Sequence, residues 1–408
     1  AELNGIPAIR RVVIPHPIAD LEEPELLVNI KNVFGTIVDS LTSPLTTEEQ
    51  KTGMRQLPKR NRIVFEGTVE EVQDKFIELE VSDGAPIIPP TEELVNKMLQ
   101  ETDRDPQEIL GKMPPENLVV TVEKIAINGV MAGCSPEYMP VLLAVAEALM
   151  DPKLGVAAGA RSTNSFAYWG FANGPFAEKI GINSKANALG PGNKANTTIG
   201  RAIRLFITSL GGSRVGVNDM SSVGNPFKFG FFFAENEKDS PWTPFHVDKD
   251  YNPEESTVTL FMSFGGFRAS GRNGKGGIDL VNLVERIKSV ESAGGPNSGM
   301  VILFDPLLAK QCVEEGFSKK DVQEYLWHSL QRTVQDWKES YSYEIQLKQN
   351  IFPAWYKDLS SDVVLPKFGK PENIVILVVG GENNLVYQAY EGVGPARGVT
   401  KSIDKWKK

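Results

Sequence analysis

Apolar positions along the chain follow two periods, and together they predict alternating helices and strands. Over 22–42, Leu26, Leu27, Ile30, Val33 and Phe34 recur at helical spacing. Arg11 to Pro15, within 7–18, reads as a strand running into a His16-Pro17 turn. The charged stretch from Thr46 to Arg62 reads as a linker. A strand over Arg62–Gly67 and a helix from about Thr68 to Leu79 are expected next. Asp83 to Thr91 is a proline-stiffened loop whose last residue caps a helix with Glu92 and Glu93 in its first turn. Leu118–Ile127 reads as a strand and Pro136–Met150 as a helix. Ala195–Leu210 reads as a helix stopped by Gly211-Gly212. Beyond these, Thr257–Ser263, Val301–Phe304 and Ile374–Val379 predict strands. Gly277–Val290, Pro306–Glu315 and Ser318–Trp337 predict helices. Apolar strands separated by helices imply an α/β fold of layered, mixed or partly parallel sheets with flanking helices. The expected division is a strand-helix segment over 1–56 and two lobes over 57–250 and 251–408.

One region breaks the pattern. From Gly155 to Gly200 the chain is rich in Gly, Asn, Ala and Ser and poor in charge. Such a stretch suits a folded-in region whose backbone groups and amides line a cavity. Composition then narrows the class. The 408 residues are 41% hydrophobic and 23% charged, the balance of a soluble globular protein. A net charge of -9 argues against a nucleic-acid surface while leaving room for a local anion pocket. No apolar run reaches the roughly 20 residues of a membrane helix. Two cysteines without a Cys-x-x-Cys pair imply free thiols and a cytoplasmic location. Three histidines leave little room for a histidine-rich metal site.

Cys134 heads the candidate chemistry. It precedes Ser135-Pro136-Glu137, which reads as a helix start, and unpaired N–H groups there favour a thiolate. The structural alternative is a small buried hydrophobe. Asn187 to Asn196 holds Gly190, Gly192, Asn193, Lys194 and Asn196 at the opening of a helix, where an anionic substrate could meet backbone N–H groups. It matches neither a Walker loop nor a dinucleotide fingerprint, and a tight turn with a cap is its plain alternative. Arg268, Arg272 and Lys275 make a second basic, glycine-rich loop. If Glu235 and Glu237 lie on a strand they share one face, and His246 could meet them across a turn. That set suits acid and base roles better than metal binding. Glu382 and Arg397, in the polar segments after the last apolar strand, rank second because ligands sit beyond strand C-termini. Cys312 reads as helix packing.

Several strings resemble an uncharacterised bacterial family linked to the UGSC-motif cysteine/selenocysteine proteins. They are Asp83-Gly84-Ala85-Pro86, Met131 to Glu137, Asn173-Gly174-Pro175, Gly181 to Ser184, Gly190 to Asn193 and Ala234 to Glu237. The start, Asn4 to Ile18, resembles the tail of a UGSC domain whose naming box is absent. The resemblance implies a thiol or selenol enzyme assembled from two polypeptides, with a partner subunit supplying the second thiol or selenol. The expectation is then a cysteine-dependent, oligomeric enzyme subunit. It would reduce or eliminate a leaving group from a small organic substrate, with Glu235, Glu237 or His246 moving protons and no cofactor. Two alternatives stand beside it: a metal-assisted hydrolase or hydratase using those three residues with Cys134, and a non-catalytic scaffold subunit.

Overall fold

The computed structural model describes residues 8–15, 18, 21–51, 63–275, 277–289, 298–339, 347, 352, 354–382, 384–394 and 396–408. Its contacts divide it into two units, Ala1–Glu66 and Gly67–Lys408. In the first, the expected helix spans Glu23–Thr42, started by a capping box between Glu22 and Glu25. Arg10 fastens the segment before it, reaching Glu49 at 2.6 Å and the Ser40 and Ser43 carbonyls. Residues 8–15 and 63–66 form no strand; His16, Pro17 and 52–62 lie outside the described residues.

The second unit is α/β. Its strands are β1 (Ile109–Met113), β2 (Leu118–Thr121), β3 (Ala167–Asn173), β4 (Phe232–Ala234), β5 (Thr257–Ser263), β6 (Gly266–Ser270), β7 (Gly299–Phe304), β8 (Gln331–Thr333), β9 (Val364–Pro366), β10 (Ile374–Val378), β11 (Val386–Gly392) and β12 (Val399–Ser402). Two mixed sheets dominate, in the orders β12-β5-β3-β4 and β10-β7-β11-β6. β3 is parallel to β4 and β10 to β7, and the other pairs in these sheets are antiparallel.

Strand alternation sorts the side chains into layers. Trp169, Phe171, Phe233 and Phe261 from one sheet meet Val301, Leu303, Val375, Leu377 and Tyr390 from the other in one apolar cluster. Their strand neighbours point outward. Ala172, Val258, Leu260 and Met262 pack against the helices Val122–Ala132, Met139–Met150 and Lys194–Leu205. Met300, Ile302, Ile376 and Ala389 pack against Leu280–Ser289, Pro306–Glu314 and Lys319–Ser329. The unit is therefore a sandwich of helix, sheet, sheet and helix layers. At Gly170 the sheet backbone closes in, so a Cβ there would sit 2.5 Å from the Thr259 carbonyl.

The sheets do not follow the expected division at 250. β5 and β12 lie beyond it in sequence yet complete the sheet of β3 and β4. The expected strand Leu118–Ile127 ends at Thr121, which caps a helix over Val122–Ala132. A short apolar run fits either state, and here the cap decides. The expected helix Ser318–Trp337 is interrupted by β8 between Lys319–Ser329 and Val334–Lys338. Among the described residues no helix is long and apolar enough to cross a membrane.

Candidate active site

The carboxylates and the histidine expected to meet do so. Asn173 ends β3 on the side of Trp169 and Phe171, and Glu235 follows β4 on the side of Phe233, so both enter the layer between the sheets. The Asn173 amide bridges the acids, donating to Glu235 Oε2 at 2.6 Å and to Glu237 Oε1 at 2.8 Å. The Phe245 N–H donates to Glu235 Oε2 at 2.9 Å, and the Gly174 N–H to Glu237 Oε1 at 2.7 Å. His246 Nδ1 lies 3.8 Å from Glu237 Oε1. Its Nε2 faces the Pro253 carbonyl at 3.3 Å, which can only accept, so Nε2 carries the hydrogen. Nδ1 is buried and unpartnered, as is Asn173 Oδ1. Two such atoms in one cluster leave it with unused hydrogen-bonding capacity. Burial raises the Glu235 carboxyl to about 7, against the opposing pull of Lys319 and the two hydrogen bonds. Glu237, with 26% of its side chain exposed, is the member that meets solvent.

A cleft of about 440 Å³ opens beyond the C-terminal ends of β7 and β10, where Leu303, Asp305, Val379, Gly380 and Gly381 meet Asn187 to Gly190 and the β11 side chains Gln388 and Tyr390. Ligands of α/β sheets commonly sit at such an edge. Asn236 joins cleft and cluster: its N–H reaches the Val378 carbonyl at 2.8 Å and its amide the Gly380 carbonyl at 3.0 Å. The Gly380 N–H binds the Ser184 carbonyl at 2.8 Å, tying in the amide-rich loop as well.

That loop divides its labour. Asn187 takes a left-handed conformation and donates to the Pro191 carbonyl at 2.7 Å. A Cβ at Gly190 would lie 2.0 Å from Asn187 Oδ1, so a larger residue there would displace the Asn187 side chain. Gly192 also has a left-handed φ, of 120°. Asn193 caps the helix by accepting from the Asn196 N–H. Asn196 is buried and spends its side chain on Asn183 and Ala188. Asn193 and Asn196 thus brace the loop. Arg268 lies on the exposed edge strand β6, opposite Gln388 of the cleft. The expected basic loop keeps Arg272 and Lys275, while Gly276 lies outside the described residues. Lys310 pairs with Glu382, and Asn383 and Pro395 are also outside.

Cys134 is not with the acid cluster, although Lys194 and Thr198 of the helix that follows the amide-rich loop lie beside it. It packs in the outer helical core, on the other side of the sheet from Phe245. Gly133, left-handed, ends the helix Val122–Ala132, and the Cys134 N–H closes that end on the Gly129 carbonyl at 2.9 Å. The thiol therefore sits between the carbonyl end of one helix and the N–H end of the next, and the two dipoles oppose. Thr198 hydrogen-bonds the thiol, and Lys194, which donates to Ser135 Oγ at 2.8 Å, adds positive charge. Burial outweighs both and pushes the thiol up to about 12, opposite to the expected thiolate. Cys312 is fully buried helix packing. Among the described residues no three His, Cys, Asp or Glu side chains gather as a metal site.

Asn173 and the surroundings of Phe245 were missed by the sequence reading. The Asn-Gly-Pro string at 173–175 is the signal that could have found the first, since it marks a strand ending in a helix start. No protein-family model and no curated protein matches this chain.

Proposed function

We propose that the protein is an enzyme that moves protons on a small anionic organic molecule, eliminating a leaving group from carbon or adding it back. Glu235, as carboxylate, takes a proton from carbon. The freed pair forms a carbon–carbon double bond as the bond to the leaving group breaks. The leaving group departs with its electron pair and takes a proton from the imidazolium form of His246 through Nδ1. Asn173 holds the two acids in register. The observation that carries this reading is a buried carboxyl raised to about 7 beside two unpartnered buried polar atoms. The neighbouring cleft gives such a molecule a place to dock.

The test is deuterium wash-in. Small hydroxy- and amino-carboxylates incubated with the protein in heavy water should exchange a carbon-bound proton, read by NMR. Glu235→Gln should slow the exchange by about 10²–10⁴. Equal rates in the variant contradict the reading.

A thiol step at Cys134, with a partner subunit supplying a UGSC-type cysteine or selenocysteine, is the second reading. The resemblance and the cation of Lys194 beside Ser135 favour it. It includes an oligomer in the reducing cytoplasm, where the free Cys134 and Cys312 stay reduced. It requires that Cys134→Ser abolish turnover of the complex.

A further inference from the structure

Beside the acid cluster lies a pair of cations, Lys249 and Arg397, that form no ion pair with an acid among the described residues. Lys249 ends the turn Val247–Lys249 that follows His246, and residues three apart in such a turn lie on one side. Its ammonium donates to the Arg397 and Gly398 carbonyls at 3.0 and 3.3 Å. Arg397 donates to the Asp248 carbonyl at 3.0 Å, and its Nε is buried without a partner. Both cations stand over one ring, Phe245, at 5.5 and 5.8 Å from its centre.

Four acids of the adjoining segments are engaged with other cations. Asp248 pairs with Lys319 at 2.5 Å, Asp151 with Lys401 at 2.7 Å, Glu147 with Lys405 at 2.7 Å, and Asp404 with Lys407. Two cations crowded on one ring repel each other, and a buried guanidinium donor without an acceptor is unfavourable. Burial, with the charges of Arg397 and Lys153, draws the Lys249 ammonium down to about 8.

We propose that Lys249 and Arg397 form an anion subsite that takes a carboxylate or phosphate group of the molecule handled by the acid cluster. An anion here supplies the missing countercharge and the acceptor that Arg397 Nε lacks, and a guanidinium edge suits a two-oxygen group. Phe245 couples the two places: its ring carries the cations and its N–H holds Glu235 at 2.9 Å. The substrate role rests on the acid–base reading; the binding of an anion does not.

Inorganic phosphate and malonate serve as probes, titrated calorimetrically into the full chain at constant ionic strength. Saturable binding is expected, weakened at least tenfold in Lys249→Met and in Arg397→Gln and unchanged in Lys112→Met, a control at an exposed strand position. A second measurement needs no variant. Acylation of Lys249 by a lysine-directed reagent, followed by mass spectrometry, should slow at least fivefold in saturating phosphate, with Lys112 unaffected. Absence of saturable binding, equal binding in the variants, or unprotected Lys249 overturns the proposal. Glu235→Gln should bind phosphate as the wild type does. Binding lost with turnover still dependent on Glu235 removes the subsite alone; binding kept with turnover independent of Glu235 removes the acid–base reading alone.

Discussion

Cys134 and Glu235 are both buried, and burial drives each toward its neutral form, yet the chemical consequences are opposite. The thiol moves from 9.0 to about 12, away from any pH at which it would be a nucleophile. The carboxyl moves from 4.5 to about 7, into the range where a proton is easily taken and returned. Their neighbours differ in kind as well. Cys134 sits in a packed helical core at a junction of opposed helix ends. Glu235 sits among hydrogen-bond donors at the rim of the inter-sheet layer, with unpartnered polar atoms beside it. Desolvation by itself neither makes nor unmakes a functional group; the ordinary pKa of that group decides.

Exchanging the two residues breaks or sharpens this contrast. Glu235→Gln should reduce turnover by about 10²–10⁴, while Cys134→Ala should leave it within a few-fold; steady-state rates on the same substrate decide. A large loss in Cys134→Ala alone would restore the thiol reading. Alkylation of Cys134 in the native protein at pH 8 should run about 10³-fold slower than for an ordinary exposed thiol, because the thiolate fraction falls with each unit of pKa. Mass spectrometry after brief labelling reads this, and rapid native labelling would contradict it.

Stability offers a third test. Because the folded pKa of Glu235 lies above its unfolded value, its favourable contribution is complete below about pH 4.5 and is lost as pH rises through about 7. Glu235→Gln should therefore gain about 3 kcal/mol over the wild type at pH 8 and little at pH 4, measured by urea unfolding. Asn196→Ala, which strips bonds from Asn183 and Ala188, should cost about 2 kcal/mol at any pH. An unchanged midpoint would mean the loop does not depend on this brace.

Local signals carried much of the fold. Thr91 caps its helix as expected, and Asn193 and Ser318 cap helices close to the starts expected near Ala195 and Ser318. β5 coincides with its expected strand, and the expected strand Val301–Phe304 lies within β7. β3 escaped because a strand buried on both faces has no alternation to show, and Gly170 and Asn173 disguise it within a glycine-rich region. Of the site, the pairing of Glu235 with Glu237 was expected from the period of a strand, but β4 ends at Ala234 and both acids lie beyond it. Their bridge to Asn173, the closeness of Lys249 to Arg397, and the separation of Cys134 from all of them depend on how distant segments pack, which no local pattern encodes. For Cys134 burial mattered most, and how deeply a thiol is buried depends on the packing of distant segments.

The most direct measurement is an infrared titration of the carboxyl band that disappears in Glu235→Gln. A midpoint near pH 7 is expected, with the protonated band persisting through mildly acidic solution. A midpoint near 4.5, the value of a solvated glutamate, would contradict the account.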